Sequence, residues 1–147
     1  MELLAALETL APIEALKVSF YAYPIVNGLH ILSIGTLVVS VMLLDLRLLG
    51  AFTSLPEAAA TRIFRRLALT GFAGAVLTGV PMFAIQATTY ASNPAFRLKM
   101  ALLFVAGLNA VLFAMLRAPG ARRGIAALSL VLWLSVLFAG RFVGFVE

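Results

Sequence analysis

His30 is the only histidine of the chain, and it stands in LHILSIGTLVVSVMLLDLRLLG, a run that would otherwise be at home in hydrocarbon. An imidazole there has three uses: a ligand for a metal or cofactor, a proton carrier, or a polar residue satisfied between packed helices. Ser33, Thr36 and Ser40 share its side of a helical wheel, an arc of roughly 120°, so this polar arc is expected to face other helices. The hydroxyls alone fit a packing role, because serine and threonine bond back to their own helix and permit close approach.

Other apolar runs of the chain bring polar groups to a similar depth. Asn27 lies beside His30, Gln86 closes the second run, Arg97 and Lys99 open the third, and Arg141 stands just before the end of the fourth. Asn27, His30, Gln86, Lys99 and Arg141 make the expected site, with Tyr90 and Asn93 at its rim. Each cation taken alone also suits snorkelling to headgroups; their shared depth favours a common site. The cluster is cationic and has no acid within the spans at that end, so facing inward it calls for an anion. A porphyrin with its propionates, a quinone head, an anionic lipid or a small anion would each suit. His30 would then be a haem iron axial ligand or a proton donor.

Several chemistries fall away. One histidine cannot supply bis-histidine haem ligation within one chain. There is no cysteine, and Met42, Met82, Met100 and Met115 are scattered in depth, which disfavours copper. Neither paired carboxylates, nor a nucleophile with its base, nor a phosphate-binding glycine loop is evident, and no catalytic residue is assigned. Asn109, in the middle of the third run, is expected to hydrogen-bond across helices.

The elements that must position these residues follow from composition. Of 147 residues, 63% are hydrophobic and 12% charged, and the mean hydropathy is +1.10; soluble domains carry about a quarter of charged residues. Segments near 25–44, 68–88, 98–116 and 125–145 are each long enough, at about 20 residues, to cross a hydrocarbon core as helices. The net charge of +5 does not point to nucleic acid, because the basic residues gather between spans. Arg47, Arg62, Arg65, Arg66, Arg117, Arg122 and Arg123 lie on one side, against Lys17, Arg97, Lys99 and Arg141 on the other, seven to four. By the positive-inside rule both termini lie outside the cytoplasm. The N-terminus, with Glu2 and Glu8 where a leader would carry positive charge, reads as retained.

Residues 2–21 read as two short helical patterns around Pro12, an interfacial amphipathic segment or a lid docked over the bundle mouth. Asp45 and Arg47 are expected among headgroups. Phe52 to Leu67, with Ser54 before Pro56 and Glu57, reads as a separate basic surface helix. Gly71, Ala75 and Gly79 put small residues on one face of span two, and Gly140 and Gly144 pair similarly in span four. Pro81 should kink span two. The short connection TTYASNPAFR makes spans two and three antiparallel neighbours, with Asn93 and Pro94 starting span three.

The runs LHILSIGTLVVSVMLLDLRLLG, NPAFRLKMALLFVAGLNAVLF and AGRFVGF, with a TG-containing second span between, resemble a family of small uncharacterised bacterial four-span membrane proteins. More remotely the chain is similar to the superfamily of the copper-resistance protein D membrane domain and the haem-b protoporphyrinogen oxidases. That likeness implies a functional histidine in the first span and lysine opening the third, at His30 and Lys99, and a bacterial inner membrane location. The chain lacks additional histidines common in that oxidase family.

The expectation is an all-α, polytopic four-helix up-down-up-down bundle, a single membrane domain over 1–147 with an N-terminal interfacial segment. Its function is expected to be binding of haem b or a similar anionic cofactor in the outer half. The alternatives are a structural or accessory subunit or homo-oligomer without cofactor, and a small-ion pathway. Expected partners are membrane lipid and a second copy or a membrane complex, not nucleic acid.

Overall fold

The computed structural model describes residues 2–116 and 118–146; Arg117, counted above on the basic side, lies outside them. The described residues form helices and no strand, in the order α1 (Glu2–Glu8), α2 (Ala11–Val18), α3 (Ala22–Leu48), α4 (Glu57–Ile85), α5 (Ala87–Ser92), α6 (Pro94–Met115) and α7 (Pro119–Phe142). The four long helices α3, α4, α6 and α7 are long and apolar enough to cross a membrane. The molecule is an all-α bundle with both described ends at one end of it and the arginine-rich connections at the other.

Local signals explain where the long helices stop and start. α3 has no breaker until Gly50, whose φ of +108° suits a residue without Cβ. Gly50 N–H donates to Arg47 O at 3.2 Å and Ala51 N–H to Leu46 O at 2.9 Å, the paired bonds that close a helix through a left-handed residue. α6 starts where expected: Asn93 caps it, its side chain accepting from Phe96 N–H at 3.0 Å, with Pro94 in the first turn.

The second span differs from its sequence reading. The stretch up to Leu67 is not a separate surface helix: α4 runs unbroken from Glu57 to Ile85. The physical reason is that nothing between Ala58 and Thr70 interrupts a helix, and the basic Arg62, Arg65 and Arg66 are good helix formers. Ser54 does not cap it; Pro56 holds the cap position without a side-chain bond. Pro81 stays inside the helix, which ends at Ile85 with Gln86 as the cap residue between it and α5.

Backbone contact is most extensive between α3 and α4, followed by α6 against α7 and α3 against α7. Among the described residues no Cα of α4 comes within 8 Å of one in α6. Spans two and three are therefore not packed neighbours, because α4 packs on α3, α3 on α7 and α7 on α6; they meet through side chains at the terminal end, where Phe83 stacks on Phe96 at 5.3 Å between centroids. The core is Leu37 and Val38 of α3, Ala106 of α6, and Leu132, Trp133 and Val136 of α7. Outside it, large apolar side chains stand exposed along the spans, including Leu32 at 67%, Phe104 at 68% and Val131 at 62%. Such a surface suits lipid, where apolar exposure carries no hydration penalty.

The small-residue face of α4 is used within the chain. A Cβ on Gly71 would stand 2.6 Å from Leu37 N and 2.8 Å from Ser33 O, and one on Gly74 2.5 Å from Ser33 Oγ. Gly144 lies beyond the end of α7 and meets nothing within 4 Å, so the Gly140/Gly144 pair does not form a helix face. Asp45 is buried, at 5% exposure, rather than set among headgroups. It continues the Leu37, Val38, Val41, Met42 stripe of α3, so helical periodicity turns it into the bundle.

The N-terminal segment is docked. Glu8 Oε1 accepts from Thr88 N–H at 2.8 Å and Thr88 Oγ1 at 2.7 Å, while Lys17 Nζ donates to Glu8 O at 2.9 Å. Ile13 and Leu16 are buried beneath it, and Leu3, Val18 and Phe20 are left exposed on its other side, as an interfacial segment requires.

Candidate functional site

His30 lies in the seam between α3 and α4, half-buried. Its Nδ1 is 2.8 Å from Thr78 Oγ1. The Thr78 hydroxyl donates its one proton to Gly74 O at 2.6 Å, as threonine in a helix commonly does. The oxygen must then accept from the imidazole, so Nδ1 carries a proton and Nε2 of the neutral ring keeps its lone pair. The Ala75 carbonyl also lies beside the ring. Gly79 completes the seat: a Cβ there would stand 2.9 Å from His30 Cε1.

This seat was half legible from sequence. The Gly71, Ala75, Gly79 face marks where another helix comes close, and His30 belongs to the polar arc expected to face it. Thr78, the residue that orients the ring, was missed. Its signal was adjacency to Gly79, which places a hydroxyl at the edge of the close-approach face.

Lys99 comes from α6 and passes along α7 at Gly140. Its Cδ and Cε lie 3.5 Å, and its Nζ 3.7 Å, from where a Cβ on Gly140 would be; the glycine leaves a lane for the stem. Lys99 is half-buried, and among the described residues it makes no ion pair, the single one being Arg122 with Glu57 at 2.7 Å. Among the described residues it is also the one charged group whose field acts on the His30 ring. An imidazole with a basic nitrogen and an unneutralised ammonium thus share the terminal half of the bundle.

The other residues of the expected site are dispersed. Asn27 is half-buried close to one turn before His30 on α3. Gln86 is exposed at the end of α4 and lines an open depression of about 530 Å³ with Glu8, Lys17, Tyr23, Ile85 and Tyr90. Arg141 is exposed and its guanidinium lies 4.7 Å above the Phe145 ring. Arg97 is exposed as well. Tyr90 joins the aromatic stack at the mouth, 5.8 Å from Phe96; burial first, then neighbouring Tyr23, push its phenol above the ordinary value. Asn93 is occupied by its cap bond and by donation to the Val143 and Val146 carbonyls.

The hydroxyl arc is packed rather than open. Ser33 closes against Gly74, Thr36 Oγ1 donates to Leu32 O at 2.9 Å, and Ser40 is buried. Asn109 does bond across helices, Nδ2 donating to Ile125 O at 3.3 Å. Among the described residues no three His, Cys, Asp or Glu side chains gather as metal ligands. Comparison with family models, curated proteins and solved structures gives no match for this chain.

Proposed function

We propose that this integral membrane protein binds an anionic prosthetic group in the terminal half of its bundle, haem b foremost, with both termini on the non-cytoplasmic side of a bacterial inner membrane. The observation that carries the reading is the Nδ1–Thr78–Gly74 relay. It fixes the ring and leaves Nε2 basic, the arrangement of iron- and zinc-bound histidines whose other nitrogen is held by an acceptor. The residues fit a group that needs one imidazole ligand and one cation beside an anionic arm. His30 Nε2 would hold the iron and Lys99 would meet a propionate. Asn27, near one turn away, is close enough in register to lend a hydrogen bond. Gln86 and Arg141 contribute only at the rim.

Haem b held in this way would supply one-electron chemistry, tuned by the imidazole that holds it. The chain's own part is to orient the ring through Thr78, to exclude lipid and water at the tight Gly79 contact, and to neutralise a carboxylate with Lys99. A test is titration of haem into purified apo-protein: saturable binding is expected, weakened strongly in His30→Ala and less in Lys99→Met. Equal binding by all three would contradict it. The structural-subunit reading is favoured less, because the Gly71 face is already spent on α3 of the same chain.

A further inference from the structure

A second polar layer lies in the half of the bundle opposite His30. Asp45 of α3, Asn109 of α6 and Ser129 of α7 are at 5%, 5% and 6% exposure. They extend the core stripes by one or two turns beyond Val38, Ala106 and Leu132. Two oxygens there, Asp45 Oδ2 and Asn109 Oδ1, are buried without a hydrogen-bond partner. Both groups reach the same face of α7, one turn apart. The Ser129 hydroxyl lies against the Asp45 carboxyl. Asn109 Nδ2 donates to Ile125 O, the carbonyl four residues before Ser129 and so on the same face one turn away.

Nothing among the described residues neutralises the carboxylate. Arg47, on the same helix, turns away and its Nε donates to Leu55 O at 2.6 Å. From α7, Arg122 pairs with Glu57 of α4 and stacks 4.8 Å over Phe113 of α6. Arg62, Arg65, Arg66 and Arg123 are exposed at the arginine-rich end. Among the described residues Ser129 is the one side chain that acts on Asp45. A lone carboxylate in low dielectric is unstable without a partner, and buried acceptors without donors are rare. One positive charge answers both. The available ligands are all oxygen, the preference of hard cations, and the single acid matches a single charge.

We propose that Asp45, Asn109 and Ser129 form a binding site for one small monovalent cation, a sodium ion or a proton, between α3, α6 and α7. The site is independent of the His30 seat and needs no haem. It makes the inner half of the bundle responsive to cations.

Thermal unfolding of the purified protein tests it. Sodium chloride is compared with N-methylglucamine chloride at equal ionic strength, each at acid and alkaline pH. If sodium is the ligand, the wild-type melting temperature rises with sodium at fixed pH. If the proton is the ligand, sodium has no effect and stability falls as pH rises. In either case Asp45→Asn, close in shape and uncharged, is expected to lose the response. Asn109→Ala keeps the carboxyl and is expected to move the midpoint by roughly tenfold or more in ligand concentration; this variant decides the matter should Asp45→Asn fail to fold. Responses in both variants equal to wild type, or a wild type insensitive to sodium and pH alike, would overturn the proposal.

Discussion

His30 Nδ1 and Thr78 Oγ1 stand 2.8 Å apart across the α3–α4 seam, and because Thr78 gives its own proton to Gly74 O, the proton between them belongs to the imidazole. Since His30 is the only histidine, nitrogen NMR of a histidine-labelled sample reads this directly. The Nδ1–H tautomer is expected, and an Nε2–H ring would contradict the assignment. Thr78→Val removes the acceptor and strands a partly buried donor, a loss of about 1–3 kcal/mol, whereas Thr78→Ser should retain the bond and the tautomer. Unfolding by denaturing detergent measures the difference.

The close backbone approach at Gly71 gives a second expectation. A methyl on Gly71 would press into Leu37 N at 2.6 Å and Ser33 O at 2.8 Å, and backbone cannot step aside as a flexible side chain can. Gly71→Ala is expected to destabilise the protein by roughly 1–3 kcal/mol through overpacking. Gly35→Ala, on the same helix pair but with nothing within 4 Å, is its control and should be neutral or slightly stabilising. Equal effects of the two would show that α3 and α4 are not in close contact.

Docking of the N-terminal segment depends on pH. The Thr88 backbone N–H and then its hydroxyl hold the Glu8 carboxyl below its ordinary value. A carboxyl lowered on folding stabilises above its unfolded value, and that contribution fades as pH falls through the folded one. Acid should therefore release α1 from α5 while the four long helices persist. Hydrogen exchange at the Thr88 amide checks this: protection is expected near neutrality and lost in acid, and Glu8→Gln should weaken it at every pH.

At the arginine-rich end, Arg122 and Glu57 pair at 2.7 Å with side chains 27% and 46% exposed. Partial exposure limits such a pair to about 0–1 kcal/mol. Glu57→Gln should thus change stability little, and the change should shrink further at high salt. A loss of several kcal/mol would mean that this contact anchors α4 to α7 more than its exposure allows.

Particular residues show how far the sequence could be read. The apolar runs around Leu37, Leu77, Leu108 and Leu132 announced the long helices, because crossing hydrocarbon demands length and composition that nothing else explains. The start of α4 was obscured because Arg62, Arg65 and Arg66 resemble a surface loop in charge yet carry no backbone signal that stops a helix. Depth along each span placed Lys99 and Arg141 in one layer, but depth says nothing of azimuth. Gly140 faces Lys99, and Arg141, turned about 100° from it, faces outward. Asp45 was misread for the converse reason: its position near the end of the span suggested headgroups, while its register with Leu37 and Val38 directs it inward. Thr78 could not be singled out before the helix facing His30 was known.

The central claim is that His30 and Lys99 hold an anionic prosthetic group, and the absorption spectrum of the protein purified from haem-replete bacterial membranes tests it most directly. A Soret band is expected in the wild type, lost in His30→Ala and altered in position or intensity in Thr78→Val. A colourless wild-type protein, or a Soret band undiminished in His30→Ala, would contradict the claim.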